Sequence, residues 1–584
     1  MPQTRGIAPF PLLLLAFFPA ASSFGTSLGS TTAPSAGAPF WNDHAAVTAL
    51  PDPPSPKQLE LIRSKPYRGG FEPAADVGAT YEPRVVFGAI PSDLKGSLAS
   101  NGAGRIRLGS RQYGHWFDGD GYVTMLGLDG AAGTASFRGR YIRTGRYVAQ
   151  EKLMKQLEKD SGGASGGTFS SPPLAFTGVW TKAGKGRFHE NFLRFPSNPA
   201  NTATMWLPPS IDSGLPQLFA ICEGGHPIQL DPQTLNVIRG EEPLASLDGR
   251  QKVASFFSAH PKRCPVSGDI YNQGFLIRPG PLPKEMNVAH LSPSGHLLTQ
   301  EKSSLPFDTL VHDSAMSANY LAYFLPPFYI GNDKLFSIMK GDSLGKYLVW
   351  HKGSKAYVQI HSRNDLKMRW RVELPEITSL YHTVDAHEEE KKDGSITLKI
   401  RIAEHEPLDR KAIERHFSDQ YRVEDRRINC ALIEYSFLLD RSGEAHYIEK
   451  FKVAENAAPC EFPLVNDKFR PRERRRYIWT NAASSEDADF LDGIQKVDAE
   501  TGECSAVKTF GPGTYAGPPA FAPRLDAMNA EDDGYIISLV YRSNEHRSDY
   551  VIMDASTLEV VCILELRQHV PFQFHGDYLH TYCP

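Results

Sequence analysis

One local pattern recurs along most of this chain. A strand of continuous or alternating apolar residues runs into an Asp, Ser or Asn turn, and a second strand leaves it. The clearest cases are FAICEGGHPIQLDPQTLNVI with its turn at Asp231, IQKVDAETGECSAVKTF at Asp498 and YVIMDASTLEVVCILEL at Asp554, which share Asp-x-x-Thr at the turn. Looser versions stand at Asp129, Ser292, Asn364 and Asp440, making seven. From Asp231 on, neighbouring turns lie 56 (554 − 498) to 76 (440 − 364) residues apart; the first gap of 102 (231 − 129) has room for an insertion. Hairpins at such intervals suggest sheets repeated radially, a β-propeller, while an extended array of β-sandwiches would use the same hairpins. Long Leu, Ala and Glu runs are missing, so an all-β fold is expected. One helix is expected in the wide gap, VAQEKLMKQLEKDSG, with apolar residues at Val148, Leu153, Met154 and Leu157.

Of the 584 residues 41% are apolar and 11% aromatic, enough for a large core and an apolar pocket. Composition hardly changes from about residue 80 to the end, so residues 80–584 read as one domain. The Pro- and Gly-rich stretch before it, 46–79, reads as an arm or linker. Residues 1–45 read as targeting sequence. IAPFPLLLLAFFPAA (7–21) behind Arg5 has the length of a signal peptide, and eight of the fourteen residues from Ser22 to Ser35 are Ser or Thr. No Asp or Glu occurs before Asp43. A signal peptide joined to a transit-like stretch, with Phe24 at the junction, resembles a two-part plastid presequence; ordinary secretion is the alternative. Seven cysteines, an odd number without a CxxC pair, indicate neither a disulfide framework nor a zinc ribbon, and fit a thiol-reducing compartment.

A formal charge of −4 supplies no general reason to expect a nucleic-acid partner. The basic run from Arg470 to Arg476 reads as a solvated loop rather than an anionic-surface contact. Beyond the N-terminal segment no apolar run reaches eighteen residues, so no spanning helix is expected in the mature chain. LAYFLPPFYI could touch a membrane peripherally, though a buried strand and loop fits it better. A monomer is expected.

Four histidines sit in distinctive neighbourhoods: His260 in SAHPK, His312 in VHDSAMSANY, His382 in LYHTVDAHEE and His575 in QFHGDY. Four imidazoles on one transition metal would leave coordination positions open for chemistry. Their spacing fits no compact ligand motif, so convergence depends on the fold. A propeller would allow it, because its strands meet at the axis.

Specific strings then add a resemblance. HWFDGDGYVTML (115–126) with RGRYIRTGRY (138–147), GAIPSDLKGSLASNG, LDPQTL after EGG, EDDGYIISLVY and the four histidine neighbourhoods together resemble the carotenoid cleavage oxygenase family over roughly residues 80–584. The resemblance implies a seven-bladed β-propeller capped by loops and helices, with a non-haem Fe(II) on the axis held by His260, His312, His382 and His575. It implies O2 as co-substrate and cleavage of a double bond in a carotenoid, apocarotenoid or stilbene-type chain to two carbonyl products. An isomerase of retinoids or carotenoids on the same fold, or a carotenoid-binding protein with a decayed iron site, would be the other readings. No catalytic side chain beyond the iron centre and no substrate-binding residue is implied.

Metal-bound histidines donate their other ring N–H to a partner. The family uses three glutamates, and two match, Glu223 in AICEGGHP and Glu461 in PCEFP; the third place, in YAGPPAFAPR, holds Pro518. That leaves His575 as the ligand expected to lack its usual partner. Ser100 stands where the family has Arg, Asp385 where it has Asn, and Ala318 where it often has Glu. His115, His387, His569 and His580 lie near the motifs but off the ligand positions and read as packing or surface residues; His387, five after His382, should face the other side of its strand. Tyr320, Tyr323, Phe324, Phe328 and Tyr329 read as tunnel lining or core alike.

Overall fold

The structure, a computed structural model, describes residues 56–583 except 109–110, 114, 161–197, 210–213, 224, 240–256, 276–283, 308, 330–348, 351–353, 377–378, 406–429, 470–472, 486–487 and 525–529. The presequence expected over 1–45 and the side chains of Phe328 and Tyr329 lie outside this description.

Seven antiparallel sheets form seven blades, each of four or more strands. From the axis outward, blade 1 runs His575–Leu579, Lys95–Arg105, Asp120–Asp129, Thr134–Tyr141. The innermost strands of blades 2 to 6 are Ala203–Leu207, Lys262–Arg263, Ala315–Met316, Ser379–Glu390 and Cys460–Leu464, and blade 7 starts with Thr514–Ala516 and Ala520–Pro523. Two strands close the ring. The C-terminal strand His575–Leu579 completes blade 1 from inside, and the N-terminal strand Arg84–Gly88 pairs with Val560–Glu565 on the outer edge of blade 7.

Each of the seven turns read from the sequence joins the third and fourth strands of a different blade. The chemistry is local. Asp231 Oδ1 accepts from the N–H groups of Gln233 and Thr234, Asp498 Oδ1 from those of Glu500 and Thr501, and Asp554 Oδ1 from those of Ser556 and Thr557. One residue with positive φ closes each turn: Gly133, Leu235, Gly295, Leu366, Gly443, Gly502 and Leu558. A side chain in that region costs about 1–2 kcal/mol, which glycine avoids. The three leucines are buried, and burying Leu contributes about 1.5–3 kcal/mol, enough to offset the strain.

The strands read as continuous apolar runs because both faces of a blade are covered. On Asp120–Asp129, Tyr122, Leu126 and Leu128 pack with Ile537, Tyr550 and Ile552 of blade 7, while Val123 and Met125 pack with Trp206 and Leu218 of blade 2. The other five seams are built the same way. Tyr323 and Phe324 belong to this core, on opposite faces of their strand, and Tyr320 packs against it.

The helix expected in the wide gap is present as Gly145–Asp160. The arm differs from a plain linker over its second half. Tyr67 and Phe71 are buried against Trp116 and Phe572, and a Cβ on Gly69 or Gly70 would meet the Tyr541 hydroxyl at 2.0 Å or the Phe572 ring at 2.4 Å. Its glycines serve close packing. The basic run is also not a solvated loop where it is described: Arg475 is buried and donates to the carbonyls of Phe469, Glu473 and Asp467, Arg474 pairs with Glu434, and Arg476 with Asp498. Buried carbonyls and carboxylates draw these guanidinium groups inward.

Candidate metal centre

Blades 1, 3, 4 and 5 each bring one of the four histidines to the axis, and the reason is positional. His575 and His382 lie on innermost strands, and His260 and His312 stand two and three residues before theirs. The ring centroid of His260 is 4.4 Å from that of His312, 5.0 Å from His382 and 4.7 Å from His575, and His382 is 4.7 Å from His575. One ring nitrogen from each of His260, His312 and His382 lies within 4.8 Å of the others. Nε2 of His260 and Nε2 of His382 are buried without a hydrogen-bond partner. Buried polar atoms are normally satisfied, so two orphaned lone pairs aimed into one histidine cluster fit a cation between them.

Electrostatics keeps most of these rings neutral, as ligands must be. Burial first, and the neighbouring rings second, hold His260 and His575 well below the usual imidazole range. His312 is pushed down to about 3, mainly by burial. His382 goes the other way: burial would lower it, but the carboxylate of Glu461 raises it.

The two glutamates expected beside the histidines are both here. Glu461, on the inner strand of blade 6, accepts from His382 Nδ1 at 2.5 Å. Its neighbour Phe462 has φ 54° and donates its own N–H to the same carboxylate; its ring stands 5.2 Å from His382 and 5.3 Å from His575. A bulky residue with positive φ is an outlier that marks strain at functional sites. The register between Glu461 and Leu464 is also broken, which turns Phe462 onto the histidines. Glu223 follows the second strand of blade 2. Its Oε1 lies 3.2 Å from His312 Nδ1 and 3.6 Å from His260 Nε2 but makes no hydrogen bond, and burial pushes the carboxyl up to about 7. Pro518, between the two inner segments of blade 7, lines a small cavity of about 30 Å³ together with Glu461, Phe462, Asn481 and Gln573.

The backbone around the histidines is braced by polar side chains. Ser258 Oγ donates to the carbonyl of His312 and accepts the N–H of His260, and Asn272 holds Ser258 from both sides. Asp313, next to His312, pairs with Lys262 at 2.7 Å and accepts the N–H of Thr383, next to His382. Blades 3, 4 and 5 are thereby tied together one residue away from two of the histidines. Sequence reading missed Asp313 and Thr383 although they stand inside the quoted strings VHDSAM and LYHTVD. It also missed Phe462, inside PCEFP, and Ser258.

A cavity of about 1070 Å³ runs along the inner strands and includes His260, His382 and His575 in its wall. Lys262, Asp313, Asp385, Arg475 and Asp577 line it beside Met205, Trp206, Val384 and Phe521, so polar and apolar side chains share its wall. Asp385 pairs with Arg401, whose other contact is the carbonyl of Arg475. His387 lies on the same strand as His382, where its Nε2 bonds the carboxylate of Glu389, and like every residue from His382 to Glu388 it borders the axial cavity. His115 is buried and accepts the N–H of Phe117, His569 is buried and hydrogen-bonds the carbonyl of Glu72, and His580 is exposed. Ser100 is buried against Gly576, and Ala318 is exposed.

Residues 71–580 match the retinal pigment epithelial membrane protein family. The apocarotenoid-15,15'-oxygenase of Synechocystis sp. is 29% identical over 504 residues, covering 85% of this chain and 92% of that protein. The carotenoid 9,10(9',10')-cleavage dioxygenase of Crocus sativus is 22% identical over 542 residues, covering 89% and 90%. Among solved structures, cobalt-substituted Synechocystis ACO superposes with a TM-score of 0.71 at 25% identity, over 88% of this chain and 98% of that one.

Proposed function

Because the chain belongs to the retinal pigment epithelial membrane protein family, the carotenoid cleavage oxygenases, we propose that it is an Fe(II)-dependent dioxygenase acting on a carotenoid or apocarotenoid. The reaction adds both atoms of O2 across one polyene double bond, which breaks to leave two carbonyl products. The observation that carries this reading is the convergence of four imidazoles, two with a buried, unpartnered Nε2, at the axis. His260, His312, His382 and His575 would hold the iron. Four neutral ligands leave the ion its charge and open positions, and the iron would supply the O2 chemistry. The chain's own part is orientation. Glu461 fixes the tautomer of His382 by taking its Nδ1–H, and Glu223 stands ready to do the same for His312. Phe462 packs its ring on His382 and His575 and limits their rotation.

The test is direct. Iron-loaded protein incubated with apocarotenoids should lose polyene absorbance, consume one O2 per cleavage and yield two carbonyl fragments. Intact polyenes across a panel of carotenoids and apocarotenoids would refute it, and turnover without O2 uptake would mark an isomerase. Pro518, in the place of the third glutamate, favours one second reading, a carotenoid-binding protein whose metal site is weakened; pigment binding without metal retention would identify it. We further propose that residues 1–45 direct the protein to a plastid, that it works as a monomer, and that it meets its apolar substrate at a membrane surface. A fluorescent fusion of residues 1–45 that enters the secretory path but not the plastid would overturn the first.

A further inference from the structure

The carboxylate of Glu461 serves two imidazoles. Oε2 faces His382 Nδ1 at 2.5 Å, and Oε1 faces Nε2 of His405 at 2.6 Å. His405 is the last residue of the second strand of blade 5, Ile396–His405, and it crosses the seam to reach the inner strand of blade 6. Both side chains are almost fully enclosed, 2% and 3% exposed, and both border the small cavity of about 30 Å³ that Pro518 also lines. Tyr381, the residue before His382, packs edge-on against the His405 ring at 5.2 Å and sets its plane.

A carboxylate held at one oxygen can still swing about its last torsion. Held at both, it has one orientation, and its Oε2 is then fixed opposite His382. We infer that His405 is a positioning residue of the metal centre: through its Nε2–H it locks Glu461, and through Glu461 it sets the angle at which His382 presents Nε2 to the metal. This rests on the reading of the four histidines as ligands. Cys430 pairs across from His405 and lies in the same cluster; burial holds its thiol well above the usual range, so it keeps an S–H, which is only a weak donor beside a ring N–H. The same fact argues against a second metal among His405, Cys430 and Glu461, since both carboxylate oxygens are already engaged. With His405 gone, Oε1 would lose its ring donor, and only the N–H of Phe462, on the same oxygen that faces His382, would still hold the carboxylate.

Cobalt(II), added to metal-free protein, reports the site through its affinity and its visible absorption bands, independently of turnover. His405→Ala should weaken cobalt binding by about 10-fold or more, the usual effect of removing a group that orients a ligand, and should shift the bands. His405→Gln, whose amide N–H can donate to Oε1, should recover most of the affinity and the wild-type spectrum. Wild-type affinity and spectrum in His405→Ala would overturn the inference. So would a folded His405→Gln whose cobalt binding is about 10-fold or more weaker than wild type, because a restored donor to Oε1 would then not hold the site; this comparison needs no alanine variant, should that one fail to fold. Wild-type protein that takes up no cobalt would remove the metal reading, and this inference with it.

Discussion

The two glutamates beside the histidine cluster are the same residue type at similar range, yet their surroundings differ. Glu461, from blade 6, is buried and accepts from His382, His405 and the N–H of Phe462; burial would raise its carboxyl, but the two imidazoles outweigh it and hold it well below the usual range. Glu223, from blade 2, has one oxygen without a hydrogen bond, a long contact of 3.4 Å from Thr202 to the other, and a carboxyl pushed up to about 7. The difference is in donors. A carboxylate held by two imidazoles is ionised and oriented before any metal arrives, whereas one dominated by burial waits for a cation to draw it into the charged form. Blade 7 goes one step further: it offers Pro518, with no carboxylate at all. The centre is therefore preorganised on the blade 5 and 6 side and loose on the side of blades 7 and 2.

Changes at four positions would break or sharpen that contrast. Glu461→Ala should have the largest effect, weakening cobalt or iron binding on the order of 100-fold, because it leaves two buried ring N–H groups without an acceptor. Titration of metal-free protein measures it. Glu223→Ala should weaken binding less, by about 10-fold, since less orientation is lost. Equal or reversed losses in this pair would end the distinction between the two sides. Pro518→Glu should tighten metal binding by up to about 10-fold and raise turnover, by adding a carboxylate on the loose side. No change would mean that His575 is already held by another group. The smallest effect concerns Phe462. Phe462→Ala loses the ring but keeps the positive φ, so Phe462→Gly should be the more stable of the two by about 1 kcal/mol in thermal unfolding. A glycine variant less stable than alanine would show that the left-handed backbone is not strained there.

How far the sequence could be read follows from the range of each interaction. The turns at Asp231, Asp498 and Asp554 were legible because their carboxylates bond N–H groups two and three residues on. The four histidines were legible through the strings around them. His405 was not, because IAEHEP carries no signal and its partner lies 56 residues downstream on another blade. The reading of the basic run missed that Arg475 turns inward to carbonyls of its own loop. Glycines 69 and 70 read as part of an arm or linker and serve a tight fit against Tyr541 and Phe572.

By itself, then, the sequence determined the repeated hairpin, one for each of seven blades, and the identity of the residues offered to the axis. Those are properties of short stretches, where hydrogen bonds close within a few residues. Only the tertiary structure decided which of those residues are held and which are loose. It paired His575 with Asn101 across 474 residues (575 − 101) to close the ring, set Glu461 between two imidazoles, and left Glu223 short of donors. Contacts across seams between blades depend on how whole sheets pack, and no local pattern records that.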